Sequence, residues 1–181
     1  MTTDNQNSME EDVDEIMGLD EEAEEELIYL CSNDNNTFEI KKKCARISNL
    51  IDTIIVGDGE AGLNSENPIS IKQVNGSNLE LIVKYMEYHG GKDEDIPPQP
   101  VRSTDMVKVC KDTWDAEFCD RLVTTDSSGS VELNLLFEVI MSANYMDMKA
   151  LLYKLCAKVA TQLKGKKLED IPNILKRKPL T

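Results

Sequence analysis

The chain predicts an α+β domain, a small sheet of about three short strands packed on helices, with a helical extension at its C-terminus. Two apolar runs rich in strand formers, Leu27 to Cys31 and Thr37 to Ile40, flank the turn residues Ser32-Asn33-Asp34-Asn35-Asn36. From Ile47 onward, apolar residues recur at helical spacing through most of the chain. The residues before Leu27 carry too little apolar surface to fold.

That first segment holds twelve acids and no Lys or Arg between Met1 and Glu26, so it accounts for most of the net charge of −14. It cannot offset a backbone ordering entropy of roughly 1–2 kcal/mol per residue and is expected to be a disordered acidic arm, either a solvating tail or a docking arm for a basic partner. The remainder is close to charge balance and is long enough for one domain with a real core.

The two strand runs read as a β-hairpin. Ile47, Leu50, Ile51, Ile54 and Ile55 then fall on one stripe of a helix, and so many isoleucines are poor helix formers unless packing holds them. A Gly/Asn/acid loop runs from Gly57 to Pro68, and Ile69-Ser70-Ile71 enters a third short strand. Ser77-Asn78-Leu79-Glu80 fits a capping box that starts a second helix, with Leu79, Ile82, Val83 and Met86 on its apolar stripe and Gly90-Gly91 ending it. Lys92 to Ser103, with three prolines and three acids, reads as an exposed linker within the domain.

Met106, Val109 and Cys110 suggest a short helix, and Trp114, Phe118 and Leu122 repeat at a spacing of four, with Asp115, Glu117 and Asp120 off the stripe. Thr124 to Ser130 is a polar turn. Leu133, Leu136, Phe137 and Ile140 form one helical face while Leu135 and Val139 form another, so this helix is expected to run through the core. After a junction at Ala143-Asn144-Tyr145-Met146-Asp147, where Asp147 can cap, Met148, Leu151, Leu152, Leu155 and Val159 make a further stripe with Lys149, Lys154 and Lys158 on its far side. Gly165 ends that helix, and one more short helix lies between Leu168 and Leu175 before a basic end, Lys176-Arg177-Lys178.

Little here suits chemistry. With a single histidine, His89, no two-histidine metal site can be built, and the residue suits packing at a helix C-terminus. Gly57-Asp58-Gly59 lacks the third glycine of a phosphate cradle. Asp115 and Glu117 point apart on a helix, which favours a solvated or interface face over a catalytic pair. No nucleophile, base and orienting group line up, so no catalytic residue, metal ligand, cofactor or small-molecule substrate is expected. Five scattered cysteines without a Cys-x-x-Cys pair read as reduced thiols of a cytosolic or nuclear protein, and no apolar run reaches the ~20 residues of a membrane span. The charge offers nothing to nucleic acid. Trp114 and Phe118 read first as anchors of the core or of a loop above it. Asn144 and Tyr145, in a loop between two buried helices, read as partner contacts ahead of local capping.

Trp114-Asp115-Ala116-Glu117-Phe118, Leu135-Leu136-Phe137-Glu138, Ala143-Asn144-Tyr145-Met146-Asp147-Met148-Lys149-Ala150-Leu151-Leu152 and Lys164-Gly165-Lys166 resemble, in order and spacing, the S-phase kinase-associated protein family. The likeness covers about Leu27 to Leu175. It implies a BTB/POZ-like part over 27–123, after the arm of 1–26, and C-terminal adaptor helices over 124–181. It also implies a cytoplasmic and nuclear, non-enzymatic adaptor of an SCF ubiquitin ligase, with a cullin scaffold and F-box proteins as partners. The cullin-facing residues it implies are Asn144 and Tyr145, and the F-box-facing residues are Cys156, Val159, Ala160, Leu163, Ile171 and Leu175. Two alternatives are an elongin C-like adaptor, although such chains end near the position of Leu152, and a BTB module that assembles with itself. Typical family members also continue past the position of Thr181, which implies fewer F-box contacts here.

Overall fold

The structure, a computed structural model, describes residues 26–93, 95–125 and 129–176. All but Glu26 of the acidic arm, part of the 124–130 turn and most of the basic end therefore lie outside the described residues.

Strand β1 (Leu27–Ser32) pairs antiparallel with β2 (Thr37–Lys41), Ile28 opposite Ile40 and Leu30 opposite Phe38. Alternate β1 side chains, Ile28 and Leu30, are fully buried, as a half-covered strand requires. The hairpin turn closes because Ser32 Oγ accepts from the Asn36 amide at 3.0 Å and Asn35 takes a left-handed φ of 63°. Strand β3 (Ile69–Ile71) adds parallel to β1, giving the order β2-β1-β3. The three-stranded sheet expected from the sequence is present.

Helix α1 (Lys42–Ala45) continues directly from β2, and α2 (Asn49–Gly57) is capped by Ser48 Oγ, which accepts from Ile51 N at 3.3 Å. Ile51 and Ile55 are the buried members of the isoleucine stripe, Leu50 and Ile54 are half-buried, and Ile47 packs from just before the helix. Helix α3 (Gly76–His89) does not use the expected capping box. It starts earlier, capped by Asn75, whose side chain accepts from Asn78 N at 2.8 Å. Glu80 sits inside the helix and pairs with Lys84 one turn on at 2.6 Å. Glycine at position 76 suits the early start, since a methyl group there would press on the Asn36 side chain and make it move. Gly90, at φ 58°, closes the helix as expected.

A 3-10 turn (Met106–Lys108) leads to α4 (Thr113–Arg121), capped by Asp112. The polar turn proves to be flanked by a two-residue ladder, β4 (Thr124–Thr125) with β5 (Val131–Glu132). Helix α5 (Asn134–Tyr145) packs on α3 and on α6 (Lys149–Leu163), and α7 (Ile171–Ile174) lies against α6. One core runs from the sheet through α3 to α6. Contrary to expectation, α5 buries only one face. Leu136 and Val139 are inside, Leu135, Phe137 and Ile140 are half-covered, and Met141 is 60% exposed.

Leu136 is completely buried at the centre of this packing. Leu136→Ala is expected to lower unfolding free energy by about 2–5 kcal/mol through the cavity it leaves. Denaturant unfolding measures it, and a loss under about 1 kcal/mol would mean that α5 is not held by core packing.

Candidate docking surfaces

The geometry of the candidate sites depends on how α6 is seated. Its inward face carries Leu151 and Leu155 and, between them, Lys154, whose side chain has no exposed surface. Lys154 Nζ lies 2.8 Å from Asp93 Oδ1 and 3.0 Å from the Tyr85 hydroxyl. It also lies 2.6 Å from Asp115 Oδ2, an ionic contact outside hydrogen-bond alignment. The Tyr85 hydroxyl donates to Asp93 Oδ2, and His89 Nε2 stands 2.9 Å from Asp115 Oδ1. One turn along α6, Lys158 reaches Asp120 Oδ1 at 2.7 Å.

Three sequence expectations are corrected here. Lys154 and Lys158 do not occupy a solvated far side of the helix, because carboxylates from α4 and from the segment after α3 face them. Asp115 is buried rather than solvated, although Glu117 does point away into solvent, as the helical spacing requires. The 92–103 linker is exposed only in part, since the Asp93 side chain and Pro97 are buried. The packing role of His89 at the helix end stands, with Asp115 added as its partner.

An aromatic wall flanks this cluster. Tyr88 stacks on Trp114 at 4.0 Å between centroids, and Trp114 stacks on Phe118 at 5.3 Å. Phe118 is buried and Trp114 half-buried, in keeping with their reading as anchors.

The junction between α5 and α6 is wired to the sheet half. Ser48 Oγ donates to the Met146 carbonyl at 2.6 Å, and Asn49 Nδ2 donates to Asp147 Oδ2 at 3.0 Å. Asp147 therefore does not cap α6. It takes a φ of 49° and spends its carboxylate on α2. The two expected contact residues here lie in the last turn of α5 rather than in a loop, and Asn144 is exposed while Tyr145 is half-buried against the core. The exposed Met141, one turn before Asn144, belongs to the same patch. Following the spacing Phe137, Met141, Asn144 would have found it in the sequence.

The second set of expected residues gathers on the outward face of α6 and on α7. Cys156 and Leu175 are exposed, while Val159, Ala160, Leu163 and Ile171 are half-buried. Tyr153, Cys156, Ala160 and Leu163 follow one another at three- and four-residue steps, so they form a stripe along α6. Tyr153, Cys156, Ala157 and Ala160 line a groove with Pro97, Gln99, Pro100 and Val101. Tyr153 and Leu168, the latter 82% exposed, were missed by the sequence reading. The junction and the far end of this stripe are separated by the length of α6, about 20 Å.

Among the described residues, no cluster of three or more His, Cys, Asp or Glu side chains is placed to hold a metal ion, and no helix is long and apolar enough to cross a membrane. Residues 26–91 match the family model described as "Skp1 family, tetramerisation domain". The chain is 33% identical over 159 residues to a "Skp1-related protein" of Caenorhabditis elegans, an alignment covering 84% of this chain and 81% of that one. The chain belongs to the Skp1 family. Two further Skp1-family relatives are the "E3 ubiquitin ligase complex SCF subunit sconC" of Arthroderma benhamiae and the "SCF ubiquitin ligase complex protein SKP1a" of Dictyostelium discoideum. The first is 34% identical, with 80% of this chain and 79% of the relative covered. The second is 32% identical, with 82% of each covered. Over 26–91 the sheet and helices are thus a Skp1-type POZ fold, and the described residues as a whole have the α+β class that the sequence indicated.

The ion cluster sets a testable energy. Burial pushes the Asp115 carboxyl up, but the hydrogen bond from His89 and the nearby Lys154 ammonium outweigh it and hold the group below its ordinary value. Burial pulls the Lys154 amine down, but Asp115 and Asp93 outweigh it and hold the group above its ordinary value. Asp115 therefore stabilises the fold fully above the unfolded aspartate value of about 3.9, and that contribution is lost as pH falls through the lower folded value. Lys154 stabilises fully below about 10.4, and its contribution is lost as pH rises through the higher folded value. Lys154→Met leaves two buried carboxylates without their cation and is expected to cost about 3–5 kcal/mol near neutral pH. The gap from the native chain should narrow toward about pH 3 as the Asp115 carboxylate, left without its cation, protonates. Equal losses in denaturant unfolding at both pH values would contradict the pairing.

Proposed function

We propose that this chain is a non-enzymatic adaptor of an SCF-type cullin ubiquitin ligase, linking a cullin scaffold to F-box substrate receptors in ubiquitin-dependent protein degradation. The observation that carries the reading is a single packed body exposing two separate part-apolar patches, one at each end of α6. Relatives of similar length whose names place them in SCF complexes support it. An adaptor acts by geometry alone. It must hold two partners at fixed separation, and each interface of ordinary size buries about 1,600 Å².

In this reading the cullin docks on the junction through Asn144 and Tyr145, joined by Met141, on the BTB/POZ-like part over 27–123 and the adjoining end of α5. The F-box protein docks on the helices within 124–181 through Cys156, Val159, Ala160, Leu163, Ile171 and Leu175. Half-covered apolar side chains in that second set suit a surface completed by a partner, because a lone domain gains nothing by leaving them wet. No cofactor, nucleic acid, membrane or small-molecule substrate enters the mechanism, and the adaptor works in the cytoplasm and nucleus.

Asn144 is exposed while Tyr145 packs on the core, so Asn144→Lys probes the first face without disturbing the fold. It is expected to weaken cullin capture at least about tenfold and leave F-box capture unchanged, with Leu175→Glu doing the reverse. Titration of each variant against purified cullin N-terminal and F-box domains measures this. Loss of both partners from either variant, or of neither from both, would contradict the assignment of the faces.

A further inference from the structure

The groove on the outward face of α6 has a charge pattern that the apolar stripe does not explain. Its floor is Tyr153, Cys156, Ala157 and Ala160, and its opposite wall is Pro97, Pro100 and Val101. At the end where α6 stops, Lys164 Nζ donates to the Val101 carbonyl at 3.3 Å, which places the lysine across the mouth of the groove. Arg102 follows Val101, and Lys166 and Lys167 follow Lys164 in the turn after the helix, all of them exposed. The anions nearby are Glu169 and Asp170 after that turn, together with Asp95, whose Oδ1 pairs with Lys111 at 2.7 Å. Lys164 and its exposed sequence neighbours thus bring more cations than anions to this end of α6, on a chain whose net charge is −14.

The segment 1–25 has the complementary chemistry. Its acids surround Val13, Ile16 and Met17, whose spacing lets three apolar side chains share one side of a helical turn if the segment takes that form on docking. It enters the fold at Glu26, held by Lys42 through the Glu26 carbonyl at 2.7 Å and the Glu26 carboxylate at 2.7 Å. Twenty-five residues span roughly 25–30 Å as a coil, further when like charges repel, and up to roughly 80 Å extended. A domain near 150 residues has a radius of gyration of only about 15 Å, so every face lies within reach.

We propose that the acidic segment docks in cis on this groove, its apolar triplet over Tyr153, Cys156 and Ala160 and its carboxylates on Lys164, Lys166, Lys167 and Arg102. Resting on the reading of this face as the F-box surface, the segment is an internal competitor that an incoming receptor must displace. Intramolecular tethering sustains such a contact even where the same segment supplied in trans would bind weakly.

The test uses the full chain and a full-length variant, Glu21→Gln, Glu22→Gln, Glu24→Gln and Glu25→Gln, whose changes all precede the described residues. Amide exchange is followed over 97–101 and 153–163 at about 25 mM and about 500 mM salt. Slower exchange in the native chain at low salt, converging with the variant at high salt and independent of protein concentration, is the expected result. Equal exchange in the two chains would overturn the proposal, and protection that grows with concentration would overturn the cis assignment by moving the segment onto a second copy. In parallel, F-box domain should bind the variant at least about fivefold more tightly than the native chain. Exchange protection with no F-box binding to either chain would sink the F-box reading and leave cis docking standing. Equal F-box binding with no protection would do the opposite.

Discussion

The structure depends on one buried cation. Lys154 sits at the meeting point of α3, through Tyr85, of α4, through Asp115, and of the segment after α3, through Asp93. Burying a lone ammonium in an apolar interior costs several kcal/mol, a large share of a domain's net stability, so α6 settles where those carboxylates wait. Ordinary apolar packing would accept several rotations of an amphipathic helix. The ion cluster admits one, since Lys154 must face inward with Leu151 and Leu155, and Tyr153 and Cys156 must then face outward.

That constraint carries the functional geometry. The outward stripe of α6 is outward because the opposite face is claimed by charge as well as by leucine. The junction at its start is fixed independently by Ser48 and Asn49, which bind Met146 and Asp147. A helix pinned at its start by the sheet half and along its length by Asp93, Asp115 and Asp120 works as a rigid strut. Two partners docked at its ends would be held about 20 Å apart. Rigid spacing of this kind is what a scaffold bridge needs, and it asks for no reactive group. The aromatic wall of Tyr88, Trp114 and Phe118 screens the cluster on the α4 side.

Much of this was legible in the residues. The hairpin, the isoleucine stripe and the glycine that ends α3 were visible because each is written in local spacing, and Ser32 to Asn36 can hardly do anything but turn. The start of α3 was misread because two legitimate caps, Asn75 and Ser77, lie two residues apart, and the hairpin turn packed against Gly76 decides between them. Lys154 and Lys158 were illegible for a different reason. A lysine opposite a leucine stripe looks solvated until distant carboxylates are brought to it, and Asp93, about sixty positions away in a segment that reads as linker, gives no local sign. Asn144 is exposed in the last turn of α5 and Met141 precedes it at helical spacing, a relation the residues alone carry, whereas Tyr153 and Leu168 show as outward only once the helices are packed.

The central claim is that both partners sit on one body at once, on faces that do not overlap. The most direct measurement is the mass, by light scattering, of the chain mixed with a cullin N-terminal domain and an F-box domain. A single species containing one copy of each is predicted. Two binary complexes that exclude each other, with no species holding all three, would contradict it.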